Sequence, residues 1–181
     1  MVIRCQFANT PNMIAYHDEE WGQDKTTSQE VFEALCLESM QAGLSWAIIL
    51  KKRPALRAAF ADFDMGALAK FDEADVDRLM LDEGIIRHRQ KIQAMINNAK
   101  CALVIEEDTH FPSFRDFIYQ TAQQLVVEFD GNEDEINKAL MKLLKKSGFK
   151  FVGPTTIESF LETIGVYNHH DPECDFRQRF H

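Results

Sequence analysis

The sequence is poor in cysteine, with four residues in 181 and no two of them close together: Cys5, Cys36, Cys101 and Cys174. Disulfide frameworks are typical of short secreted chains with densely spaced cysteines. A chain of this length can fill a hydrophobic core without such crosslinks. We therefore expect the cysteines to be free thiols or metal ligands.

Long hydrophobic runs are also missing. No apolar stretch approaches the roughly 20 residues that a membrane-spanning helix needs. The N-terminal residues 1–5 lack the apolar segment of a secretory signal. We expect a cytoplasmic protein with no membrane partner.

Positive charge is scarce, because 20 Lys and Arg face 29 Asp and Glu, for a net charge of −9. This balance argues against broad attraction to phosphate groups. Basic residues nevertheless cluster at 51–53, at 87–91 and at 142–150. Composition favours solvated helix ends, and a local basic face on an acidic background remains the alternative.

Sustained alternation of polar and apolar residues is absent, so a sheet is not expected. Helical periodicity predicts an all-α fold, a single domain over 1–181 around a central helical bundle. A capping box joins Thr27 to Glu30. The predicted helices start after that box, cover Glu73 to about Glu83 with Gly84 as the stop, begin near Arg89 and after Pro112, and cover Glu133–Lys146 and Thr155–Ile164. The segment Leu103–Asp108 fits either a strand or a helix tail.

Four side chains near the two ends carry metal-binding chemistry: Cys5, His17, His170 and Cys174. Two thiolates and two imidazoles would complete a closed tetrahedral zinc site. The spacing alone is weak evidence, since no closely spaced cysteine pair is present. Buried cysteines and surface histidines are the alternative.

Glu38 follows an apolar helical face. Burying its carboxylate there would cost free energy unless a charged or hydrogen-bonding partner were present. Tyr16, Trp21 and Trp46 supply flat aromatic surfaces. A carboxylate beside such surfaces suits a flipped, positively charged nucleobase. Alternatively, the aromatic residues belong to the core and Glu38 has a local partner.

The segment 144–156 indicates a helix, a glycine-bounded turn from Gly148 to Gly153, and a second helix opened by Pro154. Glycine allows close backbone approach, and the N–H groups that open the second helix can hold a phosphate. An ordinary helical hairpin is the alternative.

Together these stretches resemble the 3-methyladenine DNA glycosylase I family. The similarity extends from Cys5 to Cys174 in the family's order, and its motifs are Ile14–Asp18, Glu20–Gly22, Cys36–Glu38, Gln41–Trp46, Gly84–Arg89 and Gly148–Gly153. The resemblance implies a helix-hairpin-helix fold in which a structural zinc joins the two termini. The implied ligands are Cys5, His17, His170 and Cys174, with His170 preferred to His169 by the family's His-x3-Cys spacing.

The resemblance also implies an activity: hydrolysis of the N-glycosidic bond of 3-methyladenine in alkylated double-stranded DNA. Glu38 is implied as the carboxylate that recognises the base, with Tyr16 and Trp46 as aromatic walls and Trp21 nearby. The DNA-anchoring residues fall in the hairpin: Gly148, Lys150, Gly153 and Thr155. No lysine is placed to form a Schiff base, so we expect base release without strand cleavage, and no obligate protein partner is implied.

The sequence departs from the family pattern at Phe7, Met13, Ser39 and Met40. Met40 is expected to add bulk beside the recognition carboxylate, which puts the shape of the pocket in question. Two alternatives follow. One is a DNA-binding module of the same fold without turnover, and the other is an unrelated zinc hydrolase with a loosened ligand.

Overall fold

A computed structural model describes residues 2–41, 43–107 and 110–178. Within these ranges the regular structure is helical and no strand occurs, which confirms the all-α prediction. None of the helices in these ranges has the length and apolarity to cross a bilayer. The α-helices are α1 Pro11–Glu19, α2 Ser28–Gln41, α3 Trp46–Ala59, α4 Met65–Leu68, α5 Glu73–Met80, α6 Arg89–Glu107, α7 Phe114–Glu128, α8 Glu133–Lys146 and α9 Pro154–Thr163.

Side-chain caps begin several of these helices. The capping box predicted before α2 is present, because Glu30 N donates to Thr27 Oγ1 at 3.1 Å and Thr27 N donates to the Glu30 carboxylate at 3.0 Å. Asn132 accepts from the backbone of Glu135 at the start of α8. Such caps satisfy N–H groups that have no partner within the helix.

Several predicted boundaries need correction. α5 ends at Met80 and not near Glu83, since the chain turns there and Asp82 accepts a hydrogen bond from Gly84 N at 2.8 Å. α9 begins at Pro154 and ends at Thr163, one residue earlier at each end than expected. The ambiguous segment after Leu103 is the tail of α6 as far as Glu107, and Asp108 lies outside the described residues.

The helix α2 lies at the centre of the fold and packs against α3, α6, α7 and α9. Its side chains are buried continuously from Ala34 to Met40, so apolar contacts surround it. Four fully buried phenylalanines from three other parts of the chain fill the space around it, namely Phe60, Phe63, Phe114 and Phe160.

A second, smaller hydrophobic cluster joins the two ends of the chain. Its buried members are Cys5, Met13, Tyr16, Trp21, Leu50, Cys174 and Phe176. Backbone contacts reinforce this junction, since Asp175 N donates to Ile3 O at 3.0 Å. The candidate site lies between this terminal cluster and the main core.

Candidate active site

A pocket of about 200 Å³ opens where α1 faces α2 and α9. It contains all four residues that the resemblance assigned to base binding, Tyr16, Trp21, Glu38 and Trp46. The remaining lining residues are Phe7, Met13, Gln41, Ser159, Glu162 and Thr163. The lining therefore combines five aromatic or apolar residues with five polar ones.

Glu38 lies on α2 at the buried end of the pocket and is 4% exposed. Its Oε1 accepts a hydrogen bond from the Thr163 hydroxyl at 2.9 Å. Burial raises the pKa of Glu38 to about 7, although the Thr163 hydrogen bond opposes this rise and the nearby charge of Glu162 adds to it. The site thus holds a carboxyl group that titrates close to neutral pH.

Aromatic rings surround this carboxyl group. Tyr16 and Trp46 have ring centroids 5.3 Å apart and planes tilted by 52°. Trp21 meets Phe7 edge to face at 4.9 Å. Such surfaces bind a flat ligand, and their electron-rich faces favour a cation.

Two polar residues of α9 in the pocket, Thr163 and Glu162, were not predicted from the sequence. The Thr163 hydroxyl lies between Glu38 and the Tyr16 hydroxyl, from which it is 3.1 Å away. Glu162 is half-buried in the same lining. A signal existed for Thr163, because it falls three residues after buried Phe160 on the inward stripe of α9, where a polar residue is unusual.

Glu162 is linked through His169 to the protein surface. Its Oε1 lies 2.6 Å from His169 Nδ1, and His169 Nε2 lies 3.0 Å from Glu133 Oε2. Burial raises the pKa of Glu162, and the hydrogen bond from His169 opposes that rise. The pocket therefore has a second carboxyl group with a defined partner.

The departures from the family pattern fall in different places. Met13 and Phe7 line the pocket. Met40, which was expected to add bulk to the pocket beside the recognition carboxylate, does not do so, because it is fully buried in the main core and does not belong to the lining. Ser39 also points elsewhere, since its hydroxyl donates to Leu35 O within α2 at 2.9 Å.

Three of the four predicted metal ligands meet at the terminal junction. The ligand atoms of Cys5, His17 and Cys174 lie within 4.8 Å of one another, and all three residues are buried. Cys174 Sγ is 3.4 Å from His17 Nε2. Sulfur and nitrogen ligands of one tetrahedral zinc are separated by about 3.5 Å, which follows from bonds of about 2.3 and 2.0 Å. This donor set fits zinc.

His170 belongs to the same region but lies outside that 4.8 Å group. It is 2% exposed, and its ring centroid is 5.2 Å from that of His17 and 4.5 Å from that of Trp21. His169 points instead to Glu162 and Glu133. Of the two neighbouring histidines, His170 is therefore the one beside the cysteines.

His17 is oriented by its neighbours. Its Nδ1 lies 2.8 Å from Asp18 Oδ1, and Arg4 Nε donates to both oxygens of Asp18 at 2.9 Å. A carboxylate on Nδ1 leaves Nε2 directed at Cys174. This arrangement is typical of histidines that bind a metal through Nε2.

The predicted hairpin turn lies between α8 and α9. Gly148 has a φ of +93°, a conformation that favours glycine, and Gly153 is the N-cap residue of α9. Asn98 of α6 holds the turn with two hydrogen bonds: its side chain donates to Lys150 O at 2.9 Å and accepts from Lys150 N at 2.8 Å. Lys150 and Thr155 themselves are exposed.

The basic clusters contribute unequally to a basic face. Arg53 forms two bonds to Glu20, at 2.6 and 2.7 Å, and Lys52 donates to backbone carbonyls at 84 and 85. Lys91 is buried and donates to Met40 O. The exposed cations next to the hairpin are Lys145, Lys146 and Lys150. Exposed basic charge therefore includes three lysines at the end of α8 and in the turn.

Comparison with known proteins identifies the family of this chain. A family model of methyladenine glycosylase matches residues 6–178. The chain belongs to the methyladenine glycosylase family, as its resemblance had indicated.

Two similar relatives cover nearly the same length. The DNA-3-methyladenine glycosylase 1 of Escherichia coli (strain K12) is 44% identical over 94% of this chain and 95% of its own. The DNA-3-methyladenine glycosylase of Haemophilus influenzae is 40% identical over 96% of this chain and 97% of its own.

Solved structures share the fold. A 3-methyladenine DNA glycosylase I is 42% identical with a TM-score of 0.85, covering 96% of this chain and 98% of its own. The enzyme from Staphylococcus aureus, studied for its recognition of 3-methyladenine, is 36% identical with a TM-score of 0.85, covering 96% of each chain. A tyrosine-to-phenylalanine variant in complex with 3-methyladenine has a TM-score of 0.87 at 35% identity, covering 98% of this chain and 99% of its own.

Proposed function

We propose that this protein is a DNA-3-methyladenine glycosylase of base-excision repair, which hydrolyses the N-glycosidic bond of 3-methyladenine in alkylated double-stranded DNA. Membership of the methyladenine glycosylase family supports the reaction. The observation that carries the assignment to this site is a buried carboxyl group, Glu38, in a pocket walled by Tyr16, Trp21 and Trp46.

The pocket selects a flat cation. Methylation at N3 gives a purine in DNA a delocalised positive charge, whereas an intact purine is neutral. Glu38 complements that charge at close range, and the faces of Tyr16 and Trp46 attract it through cation–π interactions. A damaged base also costs less to flip out of the duplex than an intact one.

The reaction needs little acid catalysis, because the cationic base is already a good leaving group. The bond from C1′ to the purine nitrogen breaks with both electrons leaving on the base, which neutralises the cation. Water supplies the new C1′–O bond and loses its proton to solvent. Negative charge from Glu38 stabilises the positive charge that develops during bond breaking.

The reaction stops at base release. Strand cleavage by a glycosylase uses an amine nucleophile that forms a Schiff base with the sugar. The lining described for this pocket includes no lysine. The product is therefore an abasic site in an intact strand, and the activity is monofunctional.

The turn between α8 and α9 anchors the DNA as a helix-hairpin-helix element. The N–H groups that open α9 after Gly153 can bind a backbone phosphate. Lys150 and Thr155 are exposed beside them, and Gly148 permits the tight turn. This position keeps the duplex against the protein while one base enters the pocket.

Zinc at the terminal junction would be held by Cys5, His17 and Cys174, with His170 as the fourth ligand. Four protein ligands leave no open coordination position, so the metal's role is structural. It would hold the segment that carries Tyr16 and Trp21 against the C-terminal segment.

The test is release of free base from N-methylated duplex DNA, measured by chromatography for wild type beside Glu38→Gln. Release of 3-methyladenine by wild type, sharply reduced in the variant, supports both the activity and the pocket. Release by neither protein, with DNA binding retained, would favour a binding module without turnover. In that case Met13, which replaces the family's usual aromatic residue in the lining, would be the residue to revert.

A further inference from the structure

Three buried groups form a hydrogen-bond chain at the inner end of the pocket. The Tyr16 hydroxyl lies 3.1 Å from Thr163 Oγ1, and the Thr163 hydroxyl donates to Glu38 Oε1 at 2.9 Å. Tyr16, Thr163 and Glu38 are 4%, 5% and 4% exposed. Solvent therefore does not compete for these bonds.

The chemistry of the three groups decides which of them donates in each hydrogen bond. An ionised carboxylate can only accept, so the single proton of the Thr163 hydroxyl goes to Glu38. Thr163 Oγ1 can then only accept from Tyr16, which commits the tyrosine proton as well. A charged end group polarises such a chain and strengthens each bond in it.

This direction decides what the inner pocket offers to a base. The remaining lone pairs of the Tyr16 oxygen and the Glu38 Oε2 oxygen can accept hydrogen bonds, and neither group has a proton left to donate. The other donors of the lining are the half-buried side chains of Gln41 and Ser159 and the indole nitrogen of Trp46, which is buried without a hydrogen-bond partner among the described residues. Tyr16 and the ionised Glu38 therefore present acceptors to a base.

We propose that Thr163 is a specificity-determining residue, which directs the protons of this chain toward Glu38 so that the enzyme prefers 3-methyladenine to 3-methylguanine. The inference rests on the proposed function. Adenine carries an amino group at C6, whose N–H bonds match two acceptors. Guanine carries a carbonyl oxygen there, and a carbonyl facing acceptors leaves buried groups unpaired.

Substitution at Thr163 separates this role from a packing role. Thr163→Val keeps the shape and removes the hydroxyl, which frees the Tyr16 proton to donate to a guanine carbonyl. We expect the ratio of 3-methyladenine to 3-methylguanine released from methylated DNA to fall about tenfold or more, the usual effect of one hydrogen bond to a charged group. Thr163→Ser keeps the hydroxyl and should restore the ratio.

A matched control is Thr121→Val, which removes a buried hydroxyl on α7 outside the pocket lining. It should leave the ratio at the wild-type value. An unchanged ratio in Thr163→Val, with the protein folded by circular dichroism, would overturn the proposal. So would an equal loss of selectivity in Thr163→Val and Thr163→Ser.

The pH profile gives a second readout that packing alone would not move. The groups that act on Glu38 are the Thr163 hydroxyl and the charge of Glu162 from α9, with Tyr16 of α1 beside it. Loss of the Thr163 bond disfavours the ionised carboxylate, so the acid limb of base release should move to higher pH. Tyr16→Phe keeps the bond from Thr163 to Glu38 and should leave that limb in place.

The proposal stays testable if wild type releases no base, which would itself refute the proposed function. Free 3-methyladenine and free 3-methylguanine are then titrated into each variant, with the fluorescence of the two lining tryptophans, Trp21 and Trp46, as the signal. The expected result is a preference for the adenine base that is lost in Thr163→Val and kept in Thr163→Ser. Equal affinities for the two bases in wild type would overturn the proposal.

Discussion

Glu38 is a carboxyl group that the fold buries with a neutral hydroxyl as its hydrogen-bond donor. Burial raises its pKa from 4.5 to about 7. In the unfolded chain the group returns to the lower value, so folding favours the protonated form. Its favourable contribution to stability is present below about pH 4.5 and is lost as the pH rises toward 7.

Glu38→Gln should therefore make the protein more stable at pH 8 while lowering base release. The amide oxygen still accepts from Thr163, and no charge remains to be desolvated. The gain in the free energy of unfolding is expected to be at most about 3 kcal/mol at pH 8 and close to zero at pH 4.5. Denaturant unfolding of both proteins at the two pH values measures it. A difference that does not change with pH would contradict this account of Glu38.

Base release should also follow the ionisation of Glu38. Only the carboxylate complements a cationic base, and its pKa of about 7 places the change within the working range of the assay. We expect kcat/KM to rise as the pH increases through about 7 and then to level off. Glu38→Gln should show a low, flat profile over the same range. A wild-type profile that is level from pH 5 to 8 would show that the ionisation of Glu38 does not control the rate.

At the scale of elements, the two glycines that bound the hairpin turn differ in what surrounds them. A side chain added at Gly148 would meet Cys101 Sγ at 3.1 Å in a backbone with a φ of +93°. A side chain added at Gly153 would meet nothing within 4 Å. The first glycine is needed by the fold, and the second leaves open space where DNA would approach.

This contrast predicts opposite effects of the same substitution. Gly148→Ala should destabilise the protein by about 1 kcal/mol or more, because the left-handed conformation is unfavourable for alanine. Gly153→Ala should leave the melting temperature nearly unchanged and weaken binding of duplex DNA, since the added methyl group holds a phosphate away from the start of α9. Thermal unfolding and fluorescence anisotropy with labelled duplex separate the two effects. Unchanged DNA affinity in Gly153→Ala would argue against the hairpin as anchor.

The elements also show how far the sequence could be interpreted. α8 was predicted with its observed limits because a regular apolar stripe lies between Asn132 and Gly148. α1, α3 and the short α4 were not assigned. The buried face of α1 consists of Met13, Tyr16 and His17, which serve the pocket and the terminal junction, so its pattern is not that of an ordinary amphipathic helix. α3 contains Pro54, which interrupts the usual signal of a helix interior.

The candidate site, like the helices, could be predicted from the sequence only in part. Resemblance identified Glu38 and the aromatic walls, and in the structure these residues line one pocket. The role of Thr163 depends on a contact between residues 125 positions apart along the chain. Met40 was assigned to the pocket because it is near Glu38 in sequence, but residues two apart on a helix face different directions.

At the scale of the whole molecule, the pocket lies between two hydrophobic clusters, the main core and the cluster that joins the termini. Tyr16 and Trp21 belong to the cluster that joins the termini, whereas Thr163 is the last residue of α9, which packs into the main core. Hydrogen bonds also join the two terminal segments, among them the bonds from Asp171 N to Cys5 Sγ and from Gln6 N to Asp171 Oδ2. The pocket therefore depends on whatever holds the two ends of the chain together.

A zinc at Cys5, His17, His170 and Cys174 would supply that constraint, and we expect about one zinc per chain by atomic absorption. Cys174→Ser should lower the zinc content and the stability; a loss of about 3 kcal/mol would lower Tm by about 6–12 °C. Base release should fall with it, because Tyr16 and Trp21 lose their fixed position. DNA binding by the hairpin, which contacts α6 and not the termini, should be much less affected. Cys101→Ser, outside the ligand cluster, is the matched control and should keep its zinc. A metal-free wild-type protein with undiminished Tm would show that apolar packing alone joins the termini.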